Sequence, residues 1–170
     1  MARLLIVGCG CRGRELARAL VAEGHAVRGT TRDPANAAAI AAAGAEPYVG
    51  DPDRVSTLMD ALTGVSFVCW LLGQAAGEPE ALAQLRGPRL EFLLAKLVDT
   101  GVRGYLHEPS GDGDRAIVRA AGDAWRIPVA FIEPTPQPWP APALSAWEAL
   151  LDSPPNDENP IGIQEDDRSG

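Results

Sequence analysis

Two rhythms alternate along this chain: short apolar runs, then stretches in which apolar residues recur at helical spacing. Arg3-Leu4-Leu5-Ile6-Val7 reads as a buried strand, and Glu15 to Ala22 reads as a helix that Gly24 stops. His25-Ala26-Val27-Arg28-Gly29-Thr30 begins a second strand. Beyond Pro34, Ala35 to Ala43 reads as an alanine-rich helix closed by Gly44, and Glu46 to Val49 as a short third strand. Gly50-Asp51 ends that strand, Arg54 to Leu62 reads as a short helix, and Val65 to Leu72 as the fourth strand. A loop with Gln74, Gly77 and Pro79 leads into a long helix from Glu80 to Thr100, with a candidate break at Gly87-Pro88. Val102 to His107 is the fifth strand, Asp114 to Trp125 a helix, and Ile127 to Ile132 the sixth strand. Strands that alternate with helices predict an α/β protein: a Rossmann-type, doubly wound parallel sheet of about six strands in the order 3-2-1-4-5-6. The ligand of such a sheet lies at the carboxyl ends of strands 1 and 4.

The pattern changes at Glu133. Pro134, Pro136, Pro138, Pro140 and Pro142 alternate, which favours an extended strap, with Trp139 and Trp147 placed to dock it. Ala143 to Leu151 reads as a last short helix. From Ser153 onward Pro, Asp, Glu, Asn and Gly dominate, the composition of a disordered acidic tail. The expected organisation is a nucleotide-binding domain over residues 1–133, a strap and helix over 134–152, a tail over 153–170, and no separate substrate domain.

Between the first strand and the first helix stands Gly8-Cys9-Gly10-Cys11-Arg12-Gly13, a G-x-G-x-x-G turn. In that context the motif points to dinucleotide binding. Gly8 permits a tight exit from the strand, Gly10 lets the backbone approach a pyrophosphate, and Gly13 lets the helix pack closely on the sheet. The free N–H groups of the helix's first turn, with its dipole, favour the phosphate charge. The competing reading is a glycine-rich turn that binds nothing.

The end of the second strand bears on which dinucleotide. An NAD site usually has an acidic residue there, bonded to the ribose hydroxyls. Here the position falls at Thr30 or Thr31, followed by Arg32, and Asp33 faces a helix start at Pro34. Two guanidiniums, Arg12 and Arg32, and two hydroxyls suit a 2′-phosphate. NADP(H) is therefore expected over NAD(H). The alternatives are that both arginines are solvated surface charges, or that Asp33 reaches a ribose.

Composition narrows the picture. At 170 residues and 46% hydrophobic, the chain is long enough for one domain with a proper core. The net charge of -8 argues against a nucleic-acid surface. Residues 152–170 contribute six acids and one base, or -5, leaving -3 for the body. No apolar run is long enough to span a membrane and no leader is visible, so a cytoplasmic protein is expected. Lys96 is the only lysine. Cys9, Cys11 and Cys69 are an odd set, suited to a reducing compartment, and Cys9 and Cys11 are too few for a closed zinc site. Cys69 reads as buried, and Cys11 as an inert small residue facing the phosphates or, alternatively, as a redox-sensitive thiol. His25 reads as structural.

From Arg3 to about Pro134 the chain resembles the atypical extended short-chain dehydrogenases, the group of NAD(P)-dependent epimerase/dehydratase-like and NmrA-like proteins. The residues that carry the likeness are Val7 to Gly10, Gly13 to Ala17, Gly24 to Arg32, Gly50-Asp51, and Ile127 to Pro134. The family's sixth strand commonly ends in Arg-Pro, and Glu133 stands here in place of the Arg. The resemblance implies that Thr31 and Arg32 hold the adenosine ribose or its phosphate, that Asp51 lies by the adenine, and that Leu72-Gly73 pass beside the middle of the cofactor. It also leaves room for a homodimer through the long fourth helix and for a small-molecule substrate.

The family's catalytic pair is a Tyr with a Lys four residues on. Tyr48 and Tyr105 are followed at that spacing by Pro52 and Pro109, so no pair can be drawn. The family's substrate region after the sixth strand is also replaced by the proline strap. His107, Glu108 and Ser110, at the end of the fifth strand, are the weak candidates for proton transfer, against the blander reading of polar residues finishing a strand. Two readings of function follow: an NADP(H)-dependent oxidoreductase or epimerase-like enzyme, or a non-catalytic NADP(H) sensor or regulator.

Overall fold

The computed structural model describes residues 1–154. Six strands, β1 (Arg3–Val7), β2 (Ala26–Thr31), β3 (Glu46–Val49), β4 (Phe67–Trp70), β5 (Gly104–His107) and β6 (Val129–Phe131), form one parallel sheet in the order β3-β2-β1-β4-β5-β6. This is the predicted order, and its direction reverses between β1 and β4. The helices are α1 (Cys11–Ala22), α2 (Ala37–Ala42), α3 (Pro79–Arg86), α4 (Pro88–Leu97), α5 (Asp112–Trp125) and α6 (Ala141–Leu151), with three short 3-10 helices over Pro34–Asn36, Val55–Leu58 and Asp60–Leu62.

Alternate side chains of each strand point to opposite faces, and both faces are apolar because both are covered. Leu4, Ile6, Cys69 and Leu106 pack with Leu16 and Leu20 of α1, Ile40 of α2, and Ala143, Ala146, Trp147 and Leu150 of α6. Leu5, Val7, Val68, Trp70 and Tyr105 pack on the other face with Leu58 and Leu62 of the 3-10 helices, Leu85 of α3, Leu90, Leu93, Leu94 and Leu97 of α4, and Val118 of α5.

Several elements differ from the sequence reading. The expected helix over Arg54–Leu62 is two 3-10 helices. Its backbone partners are taken locally: the Thr57 hydroxyl donates toward the carbonyls of Asp51 and Arg54 and accepts the Asp51 N–H, which competes with the helical ladder. The long helix over Glu80–Thr100 is two helices that meet at Gly87, which leaves helical geometry (φ −126°, ψ −101°) ahead of Pro88. The alanine-rich segment begins as a 3-10 turn, with the Asp33 carboxylate accepting the Ala35 N–H. The last helix starts at Ala141, earlier than expected, because prolines are tolerated in a first helical turn.

The strap docks as its tryptophans suggested. Trp139 Nε1–H donates to the Arg12 carbonyl at 2.8 Å. Trp147 is 1% exposed and meets Phe67 and His25 edge-on, at ring separations of 4.8 and 5.4 Å. His25 Nδ1 accepts the Ala2 N–H, a structural role. Of the tail expected over 153–170, Ser153 and Pro154 are described, with Ser153 bonded to the end of α6, and residues 155–170 lie outside the described residues.

Candidate functional site

The register brings the strand ends to one edge. Val7 pairs with Trp70, Trp70 with His107, and His107 with Phe131. The next residues, Gly8, Leu71, Glu108 and Ile132, therefore open onto a common rim. The ladder runs one residue further, with N–H groups of Leu71, Glu108 and Ile132 donating to Val7, Trp70 and His107.

At the point where the strand order reverses, the glycine turn is built as its sequence implies. Gly8 has φ +84°, a conformation L side chains rarely adopt. Its N–H donates to the buried Thr30 hydroxyl at 3.1 Å, which ties the turn to β2. A Cβ on Gly10 would meet nothing within 4 Å, so open space lies over the turn where an anion could approach. A Cβ on Gly13 would sit 3.2 Å from the Gly8 carbonyl, the close helix–sheet contact expected there. The α1 N-terminus has no side-chain cap, which leaves its first-turn N–H groups for an anion.

A cavity of about 330 Å³ adjoins this turn. Of the residues singled out from sequence, Gly8, Gly10, Thr31, Arg32 and Leu72 meet on its wall. Cys11, Arg12, Gly13, Asp51 and Gly73 lie off it, Asp51 immediately beside the wall residues Pro52 and Asp53. The Asp51 carboxylate accepts the Asp53 N–H, shaping that corner. Gly73 is required for a different reason: a Cβ there would fall 2.7 Å from the Glu108 carbonyl and 2.8 Å from that of Pro109. The loop after β4 thus passes directly against the end of β5.

The second-strand terminus sorts the ribose candidates. Thr30 has its hydroxyl turned to Gly8. The Thr31 hydroxyl is engaged with the backbone of Asp33 and with Asn36 Nδ2. Asp33 caps the 3-10 turn. Arg32 is exposed on the cavity wall and makes no hydrogen bond or ion pair among the described residues. Sequence reasoning missed Asn36 and the α3 residues Ala81, Leu82 and Leu85, which close the cavity. Asn36 lies only five residues after Thr31, at the end of the 3-10 turn, and could have been found; α3 reaches the site only through tertiary packing.

A second cavity, about 440 Å³, opens beyond Arg12 and is bordered by Gln74, Glu108, Ser110, Arg115, Glu133 and Trp139. The Arg12 guanidinium bonds the Glu108 carboxylate, and Arg115 bonds Glu133. The Arg115–Glu133 link holds the Glu133 carboxyl below its ordinary range. His107, in contrast, is fully buried. Its Nε2 lies 2.8 Å from the Asp114 carboxylate and its Nδ1 3.1 Å from the Tyr105 hydroxyl. An ionised carboxylate only accepts, so Nε2 carries the proton and Nδ1 accepts from Tyr105. Burial pushes the His107 pKa down, against the pull of Asp114, so the ring is neutral. Burial alone would raise Asp114, but its hydrogen bonds from His107, Ser110 and Gly111 win and hold it low.

The cysteines are free thiols. Burial raises Cys9 to about 11 and pushes Cys69 higher still, so both are inert at neutral pH. Cys11 is exposed at the start of α1, its sulfur 4.0 Å from Glu15.

A doubly wound sheet with a glycine turn at its switch point, an uncapped helix and a cavity beside them defines a Rossmann-type nucleotide-binding domain. Residues 8–105, more than half of the chain, match the NAD(P)H-binding family, and the chain belongs to that family. No curated protein matches it. Among solved structures, UDP-glucuronic acid 4-epimerase from Bacillus cereus, in complex with NAD, is similar at a TM-score of 0.61 and 13% identity, over 76% of this chain and 55% of that one. Vestitone reductase from alfalfa aligns at 0.60 and 14%, over 77% and 56%. Triphenylmethane reductase from Citrobacter sp., complexed with NADP(H), aligns at 0.61 and 19%, over 77% and 48%. The chain thus spans about half the length of these proteins. Family and fold agree with the resemblance to atypical short-chain dehydrogenases.

Proposed function

We propose that this protein binds NADP(H) in preference to NAD(H), with the adenosine half in the first cavity and the diphosphate over the glycine turn. The observation that carries the reading is Arg32. It is an exposed guanidinium on the cavity wall, unpaired among the described residues, at the strand end where NAD sites place a carboxylate, and the nearby Asp33 is committed to a helix cap. Gly8, Gly10, Cys11, Gly13 and the backbone of Arg12 surround the diphosphate, Thr31 and Arg32 the adenosine ribose and its phosphate, Asp51 the adenine edge, and Leu72-Gly73 the middle of the dinucleotide. The Arg12 side chain, expected beside Arg32 at the 2′-phosphate, is turned instead to Glu108. When bound, the nicotinamide supplies or accepts a hydride. A cytoplasmic location fits the free thiols, and no helix among the described residues is long and apolar enough to cross a membrane.

A second reading, a non-catalytic NADP(H) sensor, is favoured by the state of the acid/base candidates. His107 has no exposed atom and both ring nitrogens are engaged. The sequence offers Lys96 and only Tyr48 and Tyr105 for a Tyr-Lys pair. Glu108 and Ser110, which both border the second cavity, are then the groups of that cluster left to serve chemistry, and substitution of Glu108 lowers turnover if the protein is an enzyme.

Calorimetric titration with NADPH and NADH, on wild type and Arg32→Ala, tests the assignment. Tighter NADPH binding is expected, with Arg32→Ala weakening NADPH by about tenfold or more and NADH little. Equal weakening of both, or no binding of either, overturns the preference or the site. Steady NADPH oxidation with a panel of aldehydes and ketones, present or absent, separates enzyme from sensor.

A further inference from the structure

Arg12 stands in two places at once. Its backbone N–H belongs to the first turn of α1, among the donors that face an anion at the glycine turn. Its side chain lies off the first cavity and borders the second, where it bonds Glu108, 96 residues further along. Trp139 touches Arg12 twice: the guanidinium carbon is 4.1 Å from the indole ring centroid, and the indole N–H bonds the Arg12 backbone carbonyl. Glu108 gains little else from its position. Its side chain is 6% exposed, and only Oε2 is bonded; Oε1 is buried without a partner among the described residues. A buried carboxylate half-satisfied in this way depends on one guanidinium. The Arg12 side chain as a whole is still 34% exposed and borders the second cavity.

We propose that Arg12 is a latch with two exclusive partners, Glu108 in the arrangement seen here and the ligand's diphosphate once a nucleotide binds. The proposal rests on the dinucleotide site argued above. Glu108 and Trp139 hold the guanidinium away from the glycine turn, so nucleotide binding must compete with them. A diphosphate carries more charge than one carboxylate, and the first-turn N–H groups of α1 hold it where Arg12 is rooted; both work against the cost of leaving Glu108 without its guanidinium. Apparent nucleotide affinity is then lowered by the fraction of molecules in which Glu108 retains Arg12. Nucleotide binding in turn releases the Glu108 carboxylate toward the second cavity.

The test is a double-mutant cycle on NADPH affinity with Glu108→Gln and Arg12→Ala. Glu108→Gln keeps the shape and loses the charge, and is expected to tighten NADPH binding by about fivefold or more. In the Arg12→Ala background the same change is expected to have no effect. Unchanged affinity in Glu108→Gln overturns the latch while leaving the site intact. An equal gain with and without Arg12 also overturns it, because plain charge repulsion then accounts for the result. Absence of binding in wild type removes the dinucleotide site itself, and the latch with it. Tryptophan emission gives a readout that needs neither charge variant: NADP+ should change it in wild type and not in Trp139→Phe. The same change in both proteins overturns the exchange at Trp139.

Discussion

At the scale of single residues, two glycines of one turn have opposite reasons to be there. Gly8 is dictated by the fold. Its φ of +84° and a Cβ that would fall 2.6 Å from Leu72 Cδ2 and 3.0 Å from the Leu71 carbonyl leave no place for a side chain. Gly8→Ala is expected to destabilise by about 2 kcal/mol or more, from the left-handed backbone and the crowding together. Gly10 is ordinary as backbone, with φ −79°, and a Cβ there meets open space. Gly10→Val should therefore cost only about 1 kcal/mol at the helix N-cap and yet abolish NADPH binding, because its side chain fills the ligand's approach. Urea denaturation and calorimetry on the two variants read these outcomes separately. Tight NADPH binding by Gly10→Val would place the phosphates elsewhere.

Between elements, the joint of β5 with α5 is a hydrogen-bonded chain: Tyr105 hydroxyl, His107 ring, Asp114 carboxylate, then the N–H groups of Ser110 and Gly111. It fixes the loop that borders the second cavity, and it makes stability depend on pH. Both His107 and Asp114 have folded pKa values below their ordinary ones. Each therefore contributes stability that is full above its unfolded pKa and is lost as pH falls through the folded one. Urea midpoints should fall as pH drops below about 6.5, where an unfolded histidine takes up a proton. His107→Gln should lower stability at neutral pH by about 1–3 kcal/mol and flatten that part of the slope. A slope like that of wild type in the variant would assign it to other groups. The joint also shows what a sequence can and cannot convey. Strand ends, α1 and the glycine turn were legible because period-2 and period-3.6 patterns and the G-x-G-x-x-G spacing are local. His107 was legible as a residue at a strand end, but its burial is set by Trp70 and Phe131 on neighbouring strands. The Arg12–Glu108 pair joins positions 96 apart with no periodic trace. The break at Gly87 was legible from Pro88, whereas the 3-10 geometry near Thr57 depended on where one hydroxyl turned.

Across the whole molecule, the sheet needs a cover on each face, and one cover comes from beyond the sixth strand. Ala143, Ala146, Trp147 and Leu150 of α6 are buried against the same cluster as α1 and α2, over Phe67 and Leu106. The strap that delivers α6 also carries Trp139 to Arg12, so the segment after Pro134 completes the core and the site's border together. A boundary near residue 133 would therefore divide one core in two. Loss of a buried Trp or Leu typically costs about 2–5 kcal/mol each, against a total stability of about 5–15 kcal/mol for a domain. A chain ending at Pro134 is accordingly expected to lose cooperative thermal unfolding and to expose the sheet face that α6 covers. A chain ending at Pro154 keeps every contact described here and is the comparison. A cooperative melt of the shorter chain at the temperature of the longer one would show α6 to be an accessory, and the first 134 residues to be a domain in their own right.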